Sequence, residues 1–225
     1  MVLFMLERCR RARRIDELIV ATSVDRWDDR LASIVEQHGF RCFRGSLGDV
    51  LDRFYKAALP CTPERIVRLT GDCPLVDADV IDSVIEAQQS SGAAYASNIH
   101  QRTFPRGLDV ECFSFSALER AWREAHGAAY REHVTPYLSE RADLFSFASV
   151  RGVADFSRLR WAVDYPVDLD LIRELLRRAG ASNPAGCDRF DLYRLIEADP
   201  ALASWNKLVD TEGFVQSPAE AVPSP

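Results

Sequence analysis

From Leu18 to Gly92, short apolar runs alternate with longer amphipathic segments, and this alternation limits the folds open to the chain. Leu18–Thr22, Phe40–Arg44 and Arg65–Thr70 (RIVRLT) are short, apolar and bounded by turn residues, as buried strands are. Between them, Arg30–His38 gathers Leu31, Ile34 and Val35 on one face and stops at Gly39. A helix capped by Ser46 carries Val50, Leu51, Phe54, Tyr55 and Ala58. Asp77 is placed to cap a third helix, Ala78–Gln89, that ends near Gly92. Strands joined through helices run parallel, because a tight hairpin cannot connect parallel neighbours. The expected fold is therefore α/β, with a mostly parallel sheet covered by helices on both faces.

Residues 2–14 read as a helix, with Val2, Leu3, Leu6 and Cys9 on one face and arginines opposite. Beyond Gly92 the order is mixed. Ala94–Ser97 and Leu108–Phe113 read as strands around the polar connection 98–107, and Ala117–His126 as an amphipathic helix. Tyr130–Leu138 reads as a helix that Pro136 kinks or ends. Phe145–Val150 and Arg158–Val163 read as strands. Pro166 opens a helix over Val167–Ala179, closed by Gly180. Phe190–Glu197 reads as a further helix, followed by a turn at Asp199-Pro200. The Pro-, Ser- and Ala-rich end reads as disordered, so the expected division is one domain over 1–210 and a tail over 211–225.

With 47% hydrophobic residues, a chain of 225 can bury a core without metal or disulfide staples. Cys9, Cys42, Cys61, Cys73, Cys112 and Cys187 form no C-x-x-C pair, and several lie in apolar runs, so a reducing cytoplasm is expected. A net charge of −6 argues against a nucleic-acid partner, and no apolar run is long enough for a membrane span. Arg8, Arg10, Arg11, Arg13 and Arg14 crowd the start. A solvated helix face is their expected use, ahead of a phosphate or partner patch.

Two aspartates stand where open α/β sheets bind ligands, beyond the carboxyl ends of strands. Asp72 follows RIVRLT and Asp164 follows RLRWAV. Two carboxylates there suit Mg²⁺, a hard ion that shares oxygen ligands with phosphates. Each could equally cap a helix or turn, and position alone leaves both readings open. In Thr103–Glu111 (TFPRGLDVE), Gly107 marks a turn that calls for positive φ. Arg106 and Asp109 could orient a hydroxylated acidic substrate, or form a surface ion pair. Glu132 and His133 could do acid–base work, with a satisfied core histidine as the plainer reading. Arg53 either reaches a triphosphate or pairs with Asp49 one turn earlier. No P-loop and no G-x-G-x-x-G occurs.

Several runs in order then become specific: ELIVATS, FRGSLGDVLDRFYKAA, IVRLTGDCPLVDADVIDSVI, FPRGLDVECFSFSALERAW, REHVTPY and LRWAVDYPVDLDLIREL. Together they resemble the cytidylyltransferases that activate acidic sugars, the acylneuraminate and KDO cytidylyltransferases, and most of all the subgroup of spore coat polysaccharide biosynthesis protein F. The resemblance implies a Rossmann-like nucleotidyltransferase fold, Mg²⁺ as cofactor, and transfer of CMP from CTP to a sugar acid for surface polysaccharide or glycan synthesis. A homodimer is compatible with it. By motif match, Asp72 and Asp164 would be the metal ligands. Arg53, Gly71 and Asp72 would lie at the nucleotide, and Arg106, Asp109, Glu132 and His133 on the sugar side. Members of this family open with a strand and a loop of the form Q-A-R-x-x-S-x-R-L-P-x-K, whereas residue 1 here falls at the helix that follows it. The resemblance therefore implies a sheet without its first central strand. Two other functions stay open: a truncated relic or binding module without activity, and a glycosyltransferase using a sugar nucleotide. For the last, Asp72-Cys73-Pro74 is not the D-x-D metal motif usual in that class, and Asp168-Leu169-Asp170 has its letters but lies inside an expected helix.

Overall fold

The computed structural model describes residues 1–180 and 184–207. The expected tail, 211–225, and the end of the 1–210 domain lie outside them. Six strands are found among the described residues: β1 (Ile19–Ser23), β2 (Arg41–Gly45), β3 (Arg65–Arg68), β4 (Tyr95–Ser97), β5 (Glu111–Ser114) and β6 (Phe147–Ser149). The helices are α1 (Val2–Cys9), α2 (Asp29–Gln37), α3 (Val50–Ala58), α4 (Ala78–Ser91), α5 (Phe115–Glu124), α6 (Ala128–His133), α7 (Pro136–Ser139), α8 (Pro166–Ala179) and α9 (Arg189–Ala198).

The period-two rule of strands explains the layering. Ile66, Tyr95, Phe113 and Phe147 point into one core with Leu51, Leu118 and Leu138 of α3, α5 and α7. Their neighbours Val67, Ala96, Cys112 and Ala148 point into another, with Val84, Leu175 and Leu192 of α4, α8 and α9. Both faces of β3–β6 are thus covered by helices. Each fully buried large side chain, such as Phe113 at 0% exposure, contributes about 1.5–3 kcal/mol through burial.

The strands do not form one mostly parallel sheet. β1 pairs in parallel with β2 in a two-stranded sheet, and a separate four-stranded sheet runs β3-β5-β4-β6. In it, β5 is antiparallel to both β3 and β4, and only β4 and β6 are parallel. The cause lies between β4 and β5, where no helix intervenes. Asn98 clamps the connection on itself, donating to the Leu108 carbonyl at 2.7 Å and accepting from the Val110 amide at 2.9 Å, so the chain doubles back. The clamp also shortens the expected strand, since 108–110 stay outside the ladder. The strand expected at Arg158–Val163 does not form. Its backbone bonds instead to the turn at Arg106, through an isolated bridge to Arg160.

Local signals decide the helix ends. Asp77 caps α4, accepting from the Asp79 and Val80 amides, and Gly92 closes it at φ +64°. Pro166 opens α8 and Gly180 closes it at φ +61°. Ser46 is not the cap of α3: Asp49 is, accepting from the Asp52 amide at 2.9 Å, while Ser46 Oγ accepts from the Asp49 amide. The helix read over 2–14 ends at Cys9. The helix read over Tyr130–Leu138 is broken before Pro136 by buried Val134, at φ 71° and ψ −59°. There the Thr135 amide donates to the His133 carbonyl at 2.8 Å, a γ-turn in the strained region for a β-branched residue.

The arginines at the start are not all solvated. Arg8 is 2% exposed and donates to the carbonyls of Val76 at 2.8 Å, Cys187 at 2.7 Å and Leu75 at 3.2 Å. Burial lowers its pKa, with Asp77 nearby opposing. A buried guanidinium that binds only carbonyls fixes α1 against the loop that follows β3.

Candidate active site

Three loops meet at one end of the four-stranded sheet. The loop after β3 carries Gly71 and Asp72, and the Val163 amide donates to the Asp72 carbonyl at 2.8 Å. The turn before β5 carries Arg106 and Asp109. The Arg106 amide donates to the Leu159 carbonyl at 3.0 Å, and the Trp161 amide donates to the Arg106 carbonyl at 2.6 Å. Gly107 makes that approach feasible. At φ +104°, a Cβ on it would sit 2.4 Å from the Trp161 carbonyl carbon. The segment 159–164 is thus laced to both neighbours, and Asp72, Arg106, Asp109 and Asp164 are brought into one neighbourhood.

Their side chains differ in what already holds them. Asp72 is half-buried, and its carboxylate takes a weak contact from the Cys73 thiol at 3.7 Å. Burial pushes that thiol up, and the adjoining Asp72 adds to the effect, so Cys73 stays neutral. Asp109 does not pair with Arg106; both terminal nitrogens of Arg102 grip it, one at 3.1 Å. Arg106 is exposed. Asp164 is half-exposed at its side chain and bonds to Arg160. Beneath it Asp168, at 0% exposure, accepts from Arg160, from Asn206 at 2.7 Å, and from the amides of Asp164 at 3.1 Å and Tyr165 at 2.9 Å. Burial would raise the Asp168 carboxyl, but these bonds outweigh it and hold the group below the ordinary carboxylate range.

Arg53, Glu132 and His133 stand apart from this group: no hydrogen bond or ion pair joins them to it among the described residues. Arg53 does not pair with Asp49, which instead takes a forked bond from Arg131 at 2.7–3.0 Å. Arg53 Nε is buried with no hydrogen-bond partner. Burial lowers the Arg53 pKa, and Asp28 opposes the shift. Glu132 and His133 are exposed on α6, so His133 is not a core histidine.

Sequence reasoning missed two buried networks that support the site. Arg160, Asp168 and Asn206 form one. In the other, Glu111, 4% exposed, accepts from Arg68 and from Tyr95 Oη at 2.6 Å, under the strand that leads to Asp72. A signal for the first was present: Asp168 stands two residues after the Pro that opens α8, where a carboxylate bonds back to the cap amide.

A divalent ion can be tested against these groups. Asp72 and Asp164 are hard oxygen donors on neighbouring loops, each with unused lone pairs. No cluster of three or more His, Cys, Asp or Glu suited to a metal occurs among the described residues. Two carboxylates completed by water and phosphate oxygens fit Mg²⁺, which seldom takes an all-protein cage. A cleft of about 280 Å³ lies between residues 9–18 and 39–41, and one of about 600 Å³ between Arg13, Arg14 and α4; none of the expected site residues lines either. No helix among the described residues is long and apolar enough to cross a membrane.

Comparison with known proteins converges on one group. The chain is 32% identical to the uncharacterised protein MJ1063 of Methanocaldococcus jannaschii, over 93% of this chain and 85% of that one. It is also 32% identical to the spore coat polysaccharide biosynthesis protein SpsF of Bacillus subtilis, over 84% of this chain and 78% of the relative. Among solved structures, a cytidylyltransferase from Leptospira borgpetersenii superposes with a TM-score of 0.84 at 30% identity, covering 90% of this chain and 84% of the other. A CMP:2-keto-3-deoxy-manno-octonic acid synthetase complexed with CTP shares the fold, with a TM-score of 0.60 at 13% identity over 79% of this chain and 87% of the other. The cytidylyltransferase family model matches residues 1–178. A chain with this α/β nucleotidyltransferase fold, matched along most of its length, belongs to the cytidylyltransferase family.

Proposed function

We propose that the protein transfers CMP from CTP to a hydroxyl of an acidic sugar and releases pyrophosphate, in the cytoplasm, as a step towards a surface polysaccharide. The observation that carries the reading is the bond from Val163 to the Asp72 carbonyl, which sets the two aspartates on adjoining loops beyond the sheet. Family membership supplies the cytidylyl donor, and the relative named for polysaccharide synthesis supports the sugar acceptor.

In this reading Asp72 and Asp164 hold Mg²⁺, which when bound neutralises charge on the phosphates. Gly71 has no side chain to keep the nucleotide from the loop backbone. Arg53, with its buried donor unused, offers positive charge to the triphosphate. Arg106, exposed on a turn that cannot shift, forks onto the sugar carboxylate. Asp109, fixed by Arg102, accepts from a sugar hydroxyl and orients it for in-line attack on the α-phosphorus. Glu132 and His133, exposed on α6, extend the sugar side. Positioning and charge neutralisation do most of the work in such transfers, so no strong base is required.

The test is pyrophosphate release from CTP with Mg²⁺ and a panel of acidic sugars. Asp72→Asn and Asp164→Asn should each lower kcat by a factor on the order of 10²–10³, the scale of losing one transition-state stabiliser. Release by Asp72→Asn at the parent rate would defeat the metal assignment. Tight CTP binding with no pyrophosphate from any sugar would favour a binding module.

A further inference from the structure

Arg160 is shared between two carboxylates of opposite character. Asp168 is completely buried, and Arg160 meets it through Nε at 3.4 Å and Nη2 at 3.1 Å. Asp164 is 46% exposed at its side chain and meets the same Nη2. The Arg160 side chain is itself only 12% exposed, and its carbonyl accepts from Asn206 at 3.1 Å. Asp168 takes two donors on Oδ1 and three on Oδ2, so its lone pairs are spent within the protein. It cannot also ligate a metal, although Asp168-Leu169-Asp170 has the letters of a metal motif. Nε and Nη2 of the guanidinium are therefore anchored on Asp168, and Nη2 is shared with the carboxylate assigned to the ion.

We propose that Arg160 is a positioning residue and a built-in counter-cation for Asp164: Asp168 pins it through Nε and Nη2, the shared Nη2 also holds Asp164 when no metal is bound, and a divalent cation must displace that second Nη2 bond to bind. The proposal rests on the metal reading above. It differs in sign from a purely structural role. Were Arg160 only a brace, removing it would loosen Asp164 and weaken metal binding. As a competitor, its removal tightens binding, by about two- to fivefold on the scale of a partly exposed ion pair.

The experiment measures binding of Mn²⁺ alone, by the loss of its free paramagnetic resonance signal, to the full chain and to Arg160→Gln, Arg160→Lys and Asp164→Asn. Arg160→Gln, which can still donate to Asp168, should bind two- to fivefold tighter. Arg160→Lys should match the parent, and Asp164→Asn should bind more weakly than either. Unchanged or weaker binding by Arg160→Gln, with binding still dependent on Asp164, overturns this inference and leaves the metal reading standing. No binding by the parent overturns both. If Arg160→Gln does not fold, arginine-labelled parent protein is titrated with Mg²⁺ by NMR, with Arg160 assigned through the lysine variant. Its Nη2 signal should shift as the bond to Asp164 is released while that to Asp168 stays. Asp164-dependent binding without that shift overturns the proposal.

Discussion

Gly107 and Gly127 can separate backbone strain from steric collision, because both sit at φ +104°. A Cβ on Gly127 would meet nothing within 4 Å. One on Gly107 would lie 2.4 Å from the Trp161 carbonyl carbon, 2.5 Å from Ala162 N and 2.8 Å from the Trp161 carbonyl oxygen. Alanine at Gly127 therefore introduces conformational strain alone, about 1–3 kcal/mol. Alanine at Gly107 carries the same strain and must also force two backbone segments apart. Those segments are tied by the bonds between Arg106 and residues 159–161, so they cannot part without losing hydrogen bonds. Overpacking of this kind adds roughly 1–3 kcal/mol. The entropy that alanine removes from the unfolded chain is common to both variants and cancels. At this chain length 1 kcal/mol moves Tm by about 2–4 °C, so Gly107→Ala should melt about 2–12 °C below Gly127→Ala. Urea and thermal unfolding of the two variants, followed by circular dichroism, measure the gap. Equal destabilisation would show that the 106–109 turn does not depend on this close approach.

Two further outcomes follow from buried charges. Arg53→Met removes a buried donor that has no partner, so unfolding in urea should find it unchanged or up to ~1 kcal/mol more stable. Calorimetry should find its CTP affinity lower by about 10- to 100-fold, the scale of a hydrogen bond to a charged group; an unchanged affinity would remove Arg53 from the nucleotide site. Asp168→Asn breaks a buried ion pair and should cost about 3–5 kcal/mol near neutral pH. Because the folded-state pKa of Asp168 is depressed, its contribution is fully present above the unfolded value of about 3.9 and is lost as pH falls through the folded value. The stability gap between parent and variant should thus hold steady from about pH 5 to 8 and shrink below about pH 4; a gap that widened in acid would contradict the assignment.

The parts legible in the sequence were those set by local rules. Asp77, Gly92, Pro166 and Gly180 end their helices as their types dictate, and positive φ at Gly107 follows from its turn. The apolar runs before residue 92 became strands within a residue or two of their expected limits. Non-local partners stayed hidden. Nothing near Asp49 in sequence points to Arg131, 82 positions away, as the group that would leave Arg53 unpaired. Nor does composition mark Arg8 as buried, since only the fold supplies the carbonyls of Leu75, Val76 and Cys187. The reversal of β5 was likewise unreadable from periodicity, which is the same for parallel and antiparallel strands. It depended on what one side chain, Asn98, does to a long connection. At the site, the end of β3 pointed to the loop of Asp72, whereas no strand leads into Asp164 among the described residues, and its partners Arg160 and Asp168 have letters that also suit a surface helix.

The division into two sheets affects how the molecule opens. β1, β2 and α2 pack on a small core of Leu6, Val35 and Phe40, distinct from the two cores around β3–β6. α1 joins these regions, giving Leu6 to the small core and Met5 and Cys9 to the larger one, and α3 packs on β1 and β2 as well as on α5 and α6. With so small an apolar core, residues 18–45 are expected to open more readily than β3–β6, as a leaf that detaches while the rest stays folded. Asp28 lies on that leaf and Arg53 on the helix beneath it, so the charge around Arg53 would fluctuate with each opening. A ligand that bridged the two would slow amide exchange across the whole leaf, including residues it never touches.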